Sequence, residues 1–157
     1  MDSERPDSDS PIRIRILTAA DERRLVQIDQ RLTGRSRAEW YRRRLARALR
    51  ESDVNVSLGA EVDGCLAGAV LCTVQYGEFG VADPVAVLDT LIVDPGFQKQ
   101  GVGAALLEQL QKNLAGLRVE RVRTEVDWTE RELMGFLAQA GFTPAPRLVL
   151  EHRLAPA

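Results

Sequence analysis

At 157 residues the chain can bury one sizeable hydrophobic core but is too short for two typical domains, and its 45% hydrophobic content is that of an ordinary globular protein. A formal net charge of −2 supplies no basic field for nucleic acid, and no apolar run approaches the roughly eighteen residues of a membrane span. His152, the one histidine, has no Cys or His cluster around it in the sequence, so no metal site is expected.

Residues 1–11 are acidic, polar and proline-punctuated, the opposite of a signal peptide's apolar centre. They read as a disordered acidic tail ahead of a single domain over residues 12–157. Ile12, Ile14 and Ile16 alternate with Arg13 and Arg15, the pattern of a half-buried strand. Thr18 and Asp21 form a capping box for a helix whose apolar stripe is Leu25, Ile28 and Leu32. Gly34 interrupts, and Ser36 with Glu39 makes a second box for a helix carrying Trp40, Tyr41, Leu45, Ala48 and Leu49.

Val54, Val56, Leu58, Ala60 and Val62 alternate as a strand, Asp63-Gly64 is a two-residue hairpin signal, and residues 65–74 return antiparallel. Cys65 and Cys72 fall on that strand at opposite parity, so they cannot bridge each other. Reduced thiols point to the cytoplasm. After the loop 76–84, a strand over 86–93 continues the meander and leads through a turn into a helix from Gly101 to about Leu114, with Gly116 as its C-cap. Residues 119–126 alternate as a further strand, parallel to the previous one because a helix carries the crossover. Thr129 with Glu132 caps a last helix with the stripe Leu133, Phe136, Leu137 and Ala140; Gly141 ends it, and residues 147–154 supply a closing strand. The expected fold is mixed α/β, a central, mostly antiparallel sheet with one parallel pair, flanked by helices.

The chemistry concentrates between Val87 and Leu107. A buried strand ends at Asp94-Pro95, and Gly101 and Gly103 sit where the next helix begins, so unpaired backbone N–H groups converge with the positive end of the helix dipole. Glycine lets the backbone approach phosphate oxygens without a clash. One residue separates the glycines and Ala104-Ala105 follow, which disfavours the nucleoside-triphosphate P-loop. Leu106 stands where the dinucleotide fingerprint needs its third glycine or alanine. What remains resembles the Gln/Arg-x-x-Gly-x-Gly/Ala turn of the GNAT superfamily of acyl-CoA-dependent N-acetyltransferases, matched by Gln98, Gly101 and Gly103. The element order extends the resemblance over roughly residues 12–154.

That resemblance implies acetyl-CoA as co-substrate, held at Gln98, Lys99, Gln100, Gly101, Val102, Gly103 and Ala104. It implies two parallel central strands that splay apart, with the pantetheine arm along Leu91, Ile92 and Val93. An amide near Ile92 or Val93 would then face the thioester oxygen and stabilise its developing charge. The reaction it implies is N-acetylation of a primary amine by direct attack in a ternary complex.

Asp89, two residues before Leu91 and on its face, occupies a position from which several family members project the base; a hydrogen-bonded structural carboxylate fits it too. Glu78, on the glycine-flanked loop expected to overhang the substrate mouth, is the second candidate. Glu125 and Asp127 alternate with Arg121 and Arg123, which reads as cross-strand charge pairing. Where many relatives carry a tyrosine acid and an asparagine, this chain has Leu137 and Glu130. The usual acid is therefore absent, and Tyr76 or water would protonate the departing sulfur, whose pKa near ~8.5 tolerates the loss. The same departure leaves a second reading open, a non-catalytic acyl-CoA-binding sensor or interaction domain.

Arg31, Arg35, Arg37, Arg42, Arg43, Arg44, Arg47 and Arg50 run against Glu39 alone, a pattern that fits a solvated face. Arg35 and Arg37, in the loop that closes over the acceptor in the family, would also suit a substrate carboxylate or phosphate. The expected partner is a small-molecule amine or a peptide or protein amine, with no nucleic acid and no membrane. Homodimerisation through sheet edges or helix faces stays open.

Overall fold

Alternation of apolar and charged side chains after Pro11 builds a first strand, β1 (Arg13–Ile16), at the edge of a five-stranded sheet. The computed structural model describes residues 11–50 and 56–157. The expected acidic tail, Pro11 apart, and Val54 of the second expected strand lie outside the described residues. The chain divides into two compact units, Met1–Glu125 and Val126–Ala157.

In the first unit the sheet runs in chain order. Strands β1, β2 (Ser57–Val62), β3 (Cys65–Gln75) and β4 (Val85–Val93) are successively antiparallel, and β5 (Val122–Arg123) is parallel to β4. Asp63 and Gly64 both take left-handed φ, 52° and 74°, as the predicted tight hairpin requires. Cys65 is exposed, Cys72 buried, and neither is in a disulfide.

Helix α1 (Glu22–Thr33) follows a single 3-10 turn in which the Thr18 N–H donates to Asp21 Oδ2 at 2.8 Å, the predicted box. Burial pushes the Asp21 carboxyl up, but the Arg15 and Thr18 hydrogen bonds outweigh it and hold the group below the usual carboxylate range. Gly34, φ 72°, ends α1. Helix α2 (Ala38–Arg50) begins two residues after Ser36, so the expected second box is not its cap; Glu39 accepts instead from Arg43 Nη2 at 2.5 Å.

Leu25 and Ile28 of α1 and Tyr41, Leu45 and Ala48 of α2 pack on one sheet face, against Leu66, Ala69, Leu71 and Ile92. Each fully buried leucine contributes about 1.5–3 kcal/mol. Leu32 is 40% exposed, so the α1 stripe is shorter than its periodicity suggested. Helix α3 (Val102–Gly116) buries Val102, Leu106, Leu107, Leu110 and Leu114 and packs on β2, β3 and β4. Gly116 is its last residue rather than its cap, and Arg118 takes the left-handed position after it, φ 60°.

The second unit carries α4 (Arg131–Gln139). Thr129 was expected to cap it, but its N–H and hydroxyl both donate to Asp127 Oδ1, at 2.9 and 2.7 Å, and the helix starts later. Gly141, φ 97°, ends α4 as predicted: its N–H reaches Ala138 O at 3.1 Å and the Phe142 N–H reaches Leu137 O at 3.0 Å. The closing strand expected over 147–154 is not formed; those residues join no ladder, and Leu148, Val149, Leu150 and Leu154 are exposed. Alternation gives a segment strand character, but only a partner edge makes it a strand. Among the described residues no helix is long and apolar enough to cross a membrane.

Candidate active site

The strand β4 is paired on both edges for only part of its length. It meets β5 at Ala86 and Val87, where the Ala86 N–H donates to Arg121 O at 2.9 Å. One residue further the Thr124 hydroxyl takes Leu88 O at 2.7 Å, and the ladder stops. The expected strand over 119–126 is thus reduced to Val122–Arg123, and the parallel pair, which the resemblance has parting at the end of β4, parts already after Val87, six residues before that end.

A bulge accompanies the parting. Leu71 of β3 faces Thr90 and Cys72 faces Leu88, which leaves Asp89 as an extra residue without a partner. The bulge also reverses which edge the following backbone groups face. The Asp94 N–H donates to Ala67 O of the β3 side at 2.7 Å. Alternation back from Asp94 turns the N–H and C=O of Ile92 and Thr90 toward β3 and those of Leu91 and Val93 toward the edge that β5 has left. Gln98 Nε2 reaches Val93 O from there at 3.5 Å. Of the two amides named for the thioester oxygen, that of Val93 lies on the open edge, whereas Ile92, 8% exposed, faces inward. Gly68 permits this close packing, since a Cβ there would stand 2.7 Å from Ile92 O.

Beyond β4 the chain turns through Pro95–Phe97, capped by the Asp94 carboxylate on the Gly96 N–H at 2.7 Å. Gln98 is extended, Lys99 left-handed at φ 62° and Gly101 left-handed at φ 83°. Such alternation of hand turns successive N–H groups to one side, an anion nest, and α3 adds its free first-turn N–H groups at Val102, Gly103 and Ala104. Holding Lys99 left-handed costs about 1–2 kcal/mol. No heavy atom lies within 4 Å of a Cβ built on Gly101, so the space above the nest is open. Gln98, Lys99 and Ala104 are exposed, Gln100 and Gly103 half-buried; Val102 is 1% exposed and offers only its backbone.

The α1–α2 hairpin reaches both ends of this stretch. Asp94, 0% exposed, accepts from Arg24 Nη2 at 2.8 Å and from Arg31 Nη1 at 2.7 Å. Arg44, 9% exposed, donates Nε to Asp89 Oδ2 at 2.9 Å and Nη2 to Thr73 Oγ1 at 3.1 Å. Asp89 Oδ1 accepts from the Thr90 hydroxyl at 2.8 Å, and its side chain stays 38% exposed. The bulged carboxylate is thereby fixed in direction yet open to solvent.

Arg37 is bidentate to Asp29, with the Tyr41 hydroxyl on the same carboxylate at 3.1 Å. The Arg37 hydrogen bond holds Asp29 below the usual carboxylate range against its burial, with help from Tyr41, while burial and Asp29 push the Tyr41 phenol up. Arg37 therefore closes the hairpin, whereas the Arg35 guanidinium has no partner among the described residues. Reading the arginine run as facing Glu39 alone missed Asp29, Asp89 and Asp94, supplied from elsewhere in the fold. Arg24, seven residues before Arg31 and on its face of α1, also escaped the sequence reading.

Glu78 rides an exposed loop in which Gly77, Phe79 and Gly80 are all left-handed, at φ 75°, 52° and 73°. Tyr76 and Phe79 are 72% and 76% exposed, and the Arg123 guanidinium lies 5.2 Å from the Phe79 ring centroid. Among the described residues no three His, Cys, Asp or Glu side chains group as metal ligands.

The pattern of the Acetyltransferase (GNAT) family matches residues 22–142. No curated protein matches the chain in sequence. Among solved structures it is similar to the aminoglycoside N-acetyltransferase AAC(6')-Iy in complex with CoA, with TM-score 0.77 and 16% identity over 96% of this chain and 99% of that one. Glucosamine-6-phosphate N-acetyltransferase from Arabidopsis thaliana superposes with TM-score 0.71 and 18% identity, over 90% and 98%. Ribosomal-protein-alanine N-acetyltransferase from Brucella melitensis biovar Abortus 2308 does so with TM-score 0.72 and 17% identity, over 92% and 100%. At such identities the likeness is one of fold.

Proposed function

The chain belongs to the GNAT acetyltransferase family, and on that premise we propose that it transfers the acetyl group of acetyl-CoA to a primary amine by direct attack in a ternary complex. The observation that carries the proposal is the sequence of features along one strand: β4 leaves β5, bulges at Asp89, exposes the Leu91 and Val93 edge and runs into a nest. The nest and the first turn of α3, residues 98–104, hold the coenzyme's phosphates. The open edge of Leu91 and Val93 pairs with the amides of the pantetheine arm.

The Val93 N–H donates to the thioester oxygen and stabilises the negative charge that develops there. Asp89 accepts the proton that the amine sheds as its nitrogen bonds to the acetyl carbon, directly or through one water. Arg44 and Thr90 occupy one lone pair on each carboxylate oxygen and leave the others free. As the carbon–sulfur bond breaks, the sulfur leaves as a thiolate, with Tyr76 or water supplying its proton.

Glu78 and Tyr76 border the acceptor, and Arg35, whose guanidinium has no partner among the described residues, meets an acceptor carboxylate or phosphate. The fold neighbours are named for aminoglycosides, glucosamine-6-phosphate and ribosomal-protein alanine, so small-molecule and protein amines both belong in the test. The two unbridged cysteines suit a cytoplasmic setting.

The test is a thiol-release screen with acetyl-CoA across amino acids, aminosugars, polyamines and peptide termini. Saturable turnover with one class supports transfer. Tight CoA binding with no turnover on any amine, protein extracts included, would establish the sensor reading that Leu137, in the place of the usual acid, keeps open.

A further inference from the structure

Three charged side chains meet behind the turn that ends β4. The fully buried Asp94 accepts from Arg24 Nη2 at 2.8 Å, from Arg31 Nη1 at 2.7 and 2.8 Å on its two oxygens, and from the Gly96 N–H at 2.7 Å. Arg24 is anchored again, Nε to Leu66 O at 3.0 Å, whereas the Arg31 side chain is 54% exposed. Arg31 Nη2 lies 3.9 Å from where a Cβ on Gly96 would stand, and among the described residues no protein group bonds it.

The cluster does more than attach α1. Leu25 and Ile28, both 0% exposed, already fasten that helix to the sheet. A buried ionic cluster is a poor source of net stability, because desolvating the charges offsets most of their attraction. What the ions add is direction and charge. The carboxylate sets the Pro95–Phe97 turn through the Gly96 N–H, and two guanidinium charges against one carboxylate leave one net positive charge. That charge sits at the root of the segment that bends into Lys99 and Gly101, where the backbone presents its anion nest.

We propose that Arg24 and Arg31, bridged by Asp94, are positioning residues for phosphate binding: they fix the turn from which the nest springs and hold a net cation behind it. The inference rests on the coenzyme reading of residues 98–104. It adds a contribution from α1 that lies outside the glycine turn and that the turn's own motif does not contain.

The experiment compares a donor with phosphates to one without, acetyl-CoA and S-acetylpantetheine, in wild type, Arg31→Met, Arg31→Lys and Gly96→Ala. Calorimetric CoA affinity and unfolding midpoints are measured alongside. Loss of the net positive charge behind the nest, and of one of the two cations that orient Asp94, predicts that Arg31→Met weakens CoA binding about tenfold. The KM for acetyl-CoA should rise with kcat held, kcat/KM for S-acetylpantetheine should stay at the wild-type value, and Arg31→Lys should recover most of the loss. Gly96→Ala removes no charge but sets a Cβ 3.2 Å from Asp94 Oδ1, so it should weaken CoA binding by disturbing the carboxylate. An equal loss with both donors, or a lowered unfolding midpoint with unchanged CoA affinity, would make the cluster a structural clamp and overturn the proposal. A wild-type protein that fails to bind CoA would instead overturn the coenzyme reading beneath it.

Discussion

Asp89→Asn is the substitution that separates catalysis from packing at the bulge. Asparagine keeps the shape and both contacts, since its oxygen can accept from Arg44 while its NH2 donates to the Thr90 hydroxyl, but Arg44, 9% exposed, loses its counter-charge. Breaking a fully buried pair costs about 3–5 kcal/mol, but the Asp89 side chain is 38% exposed and water screens much of that, so the stability loss should be on the order of 1–2 kcal/mol. The catalytic loss should be larger. Removing a general base typically slows turnover about a hundredfold to ten-thousandfold, equivalent to about 3–5 kcal/mol in the barrier. The assay is thiol release with the best amine from the screen, followed against pH, with CoA affinity by calorimetry and stability by denaturant on the same samples. CoA affinity should hold, and the rate defect should shrink as pH approaches the amine's own pKa, where the amine arrives deprotonated and needs no base. A fully active Asp89→Asn refutes the assignment, and so does a defect that stays the same at every pH, which would mark the carboxylate as packing for Arg44.

Three further outcomes follow from the same geometry. Gly101→Val forces a β-branched residue to φ 83° and fills the open space above the nest, so stability should drop by about 1–2 kcal/mol while CoA affinity falls at least tenfold; equal affinity in calorimetry would remove the nest from the site. Glu78→Gln should raise the KM of the amine and leave kcat and the coenzyme KM nearly unchanged; a kcat loss that fades at high pH would move the base to this loop carboxylate. Asp29 and Asp21 titrate below the usual carboxylate range in the folded chain, so their stabilisation is complete above about pH 4 and is lost as pH falls through their lowered values. Asp29→Asn should therefore lower the thermal midpoint at neutral pH and flatten its acid limb; an unchanged limb would show that Arg37 does not hold the group ionised.

The elements whose information is local were legible in the sequence. Asp63-Gly64 states its turn because both residues tolerate left-handed φ, and Gly34 and Gly141 end their helices for the same reason. The glycines at 101 and 103 pointed to the nest, although the second left-handed residue is Lys99, which no propensity would have picked. What failed was what depends on a distant partner. Residues 147–154 alternate like a strand and pair with nothing, and the strand at 119–126 shrank to two residues once Thr124 turned its hydroxyl onto Leu88. The arginine run misled for the same reason, since its counter-charges come from Asp29, Asp89 and Asp94. The bulge at Asp89 has no local signature, yet it decides that Val93 rather than Ile92 presents its amide at the open edge.

The placement of those ion pairs explains four arginines of the helical hairpin, Arg24, Arg31, Arg37 and Arg44. Asp89 on β4 and Asp94 just past its end stand five residues apart, about 16 Å of extended chain, and the edge formed by Leu91 and Val93 lies between them. Arg44 of α2 holds the first point, Arg24 and Arg31 of α1 hold the second, and Arg37 with Asp29 ties the two helices to each other. Apolar side chains would have served stability as well, but they would not have fixed the direction of a carboxylate or the start of a turn. The strand that loses its β5 partner after Val87 gains fixed points from the helices instead, so its open edge can stay straight while unpaired. The loop that carries Arg35 joins the two helices that hold both carboxylates, so on the proposed reading the acceptor cation, the candidate base and the phosphate turn are linked through one set of ion pairs.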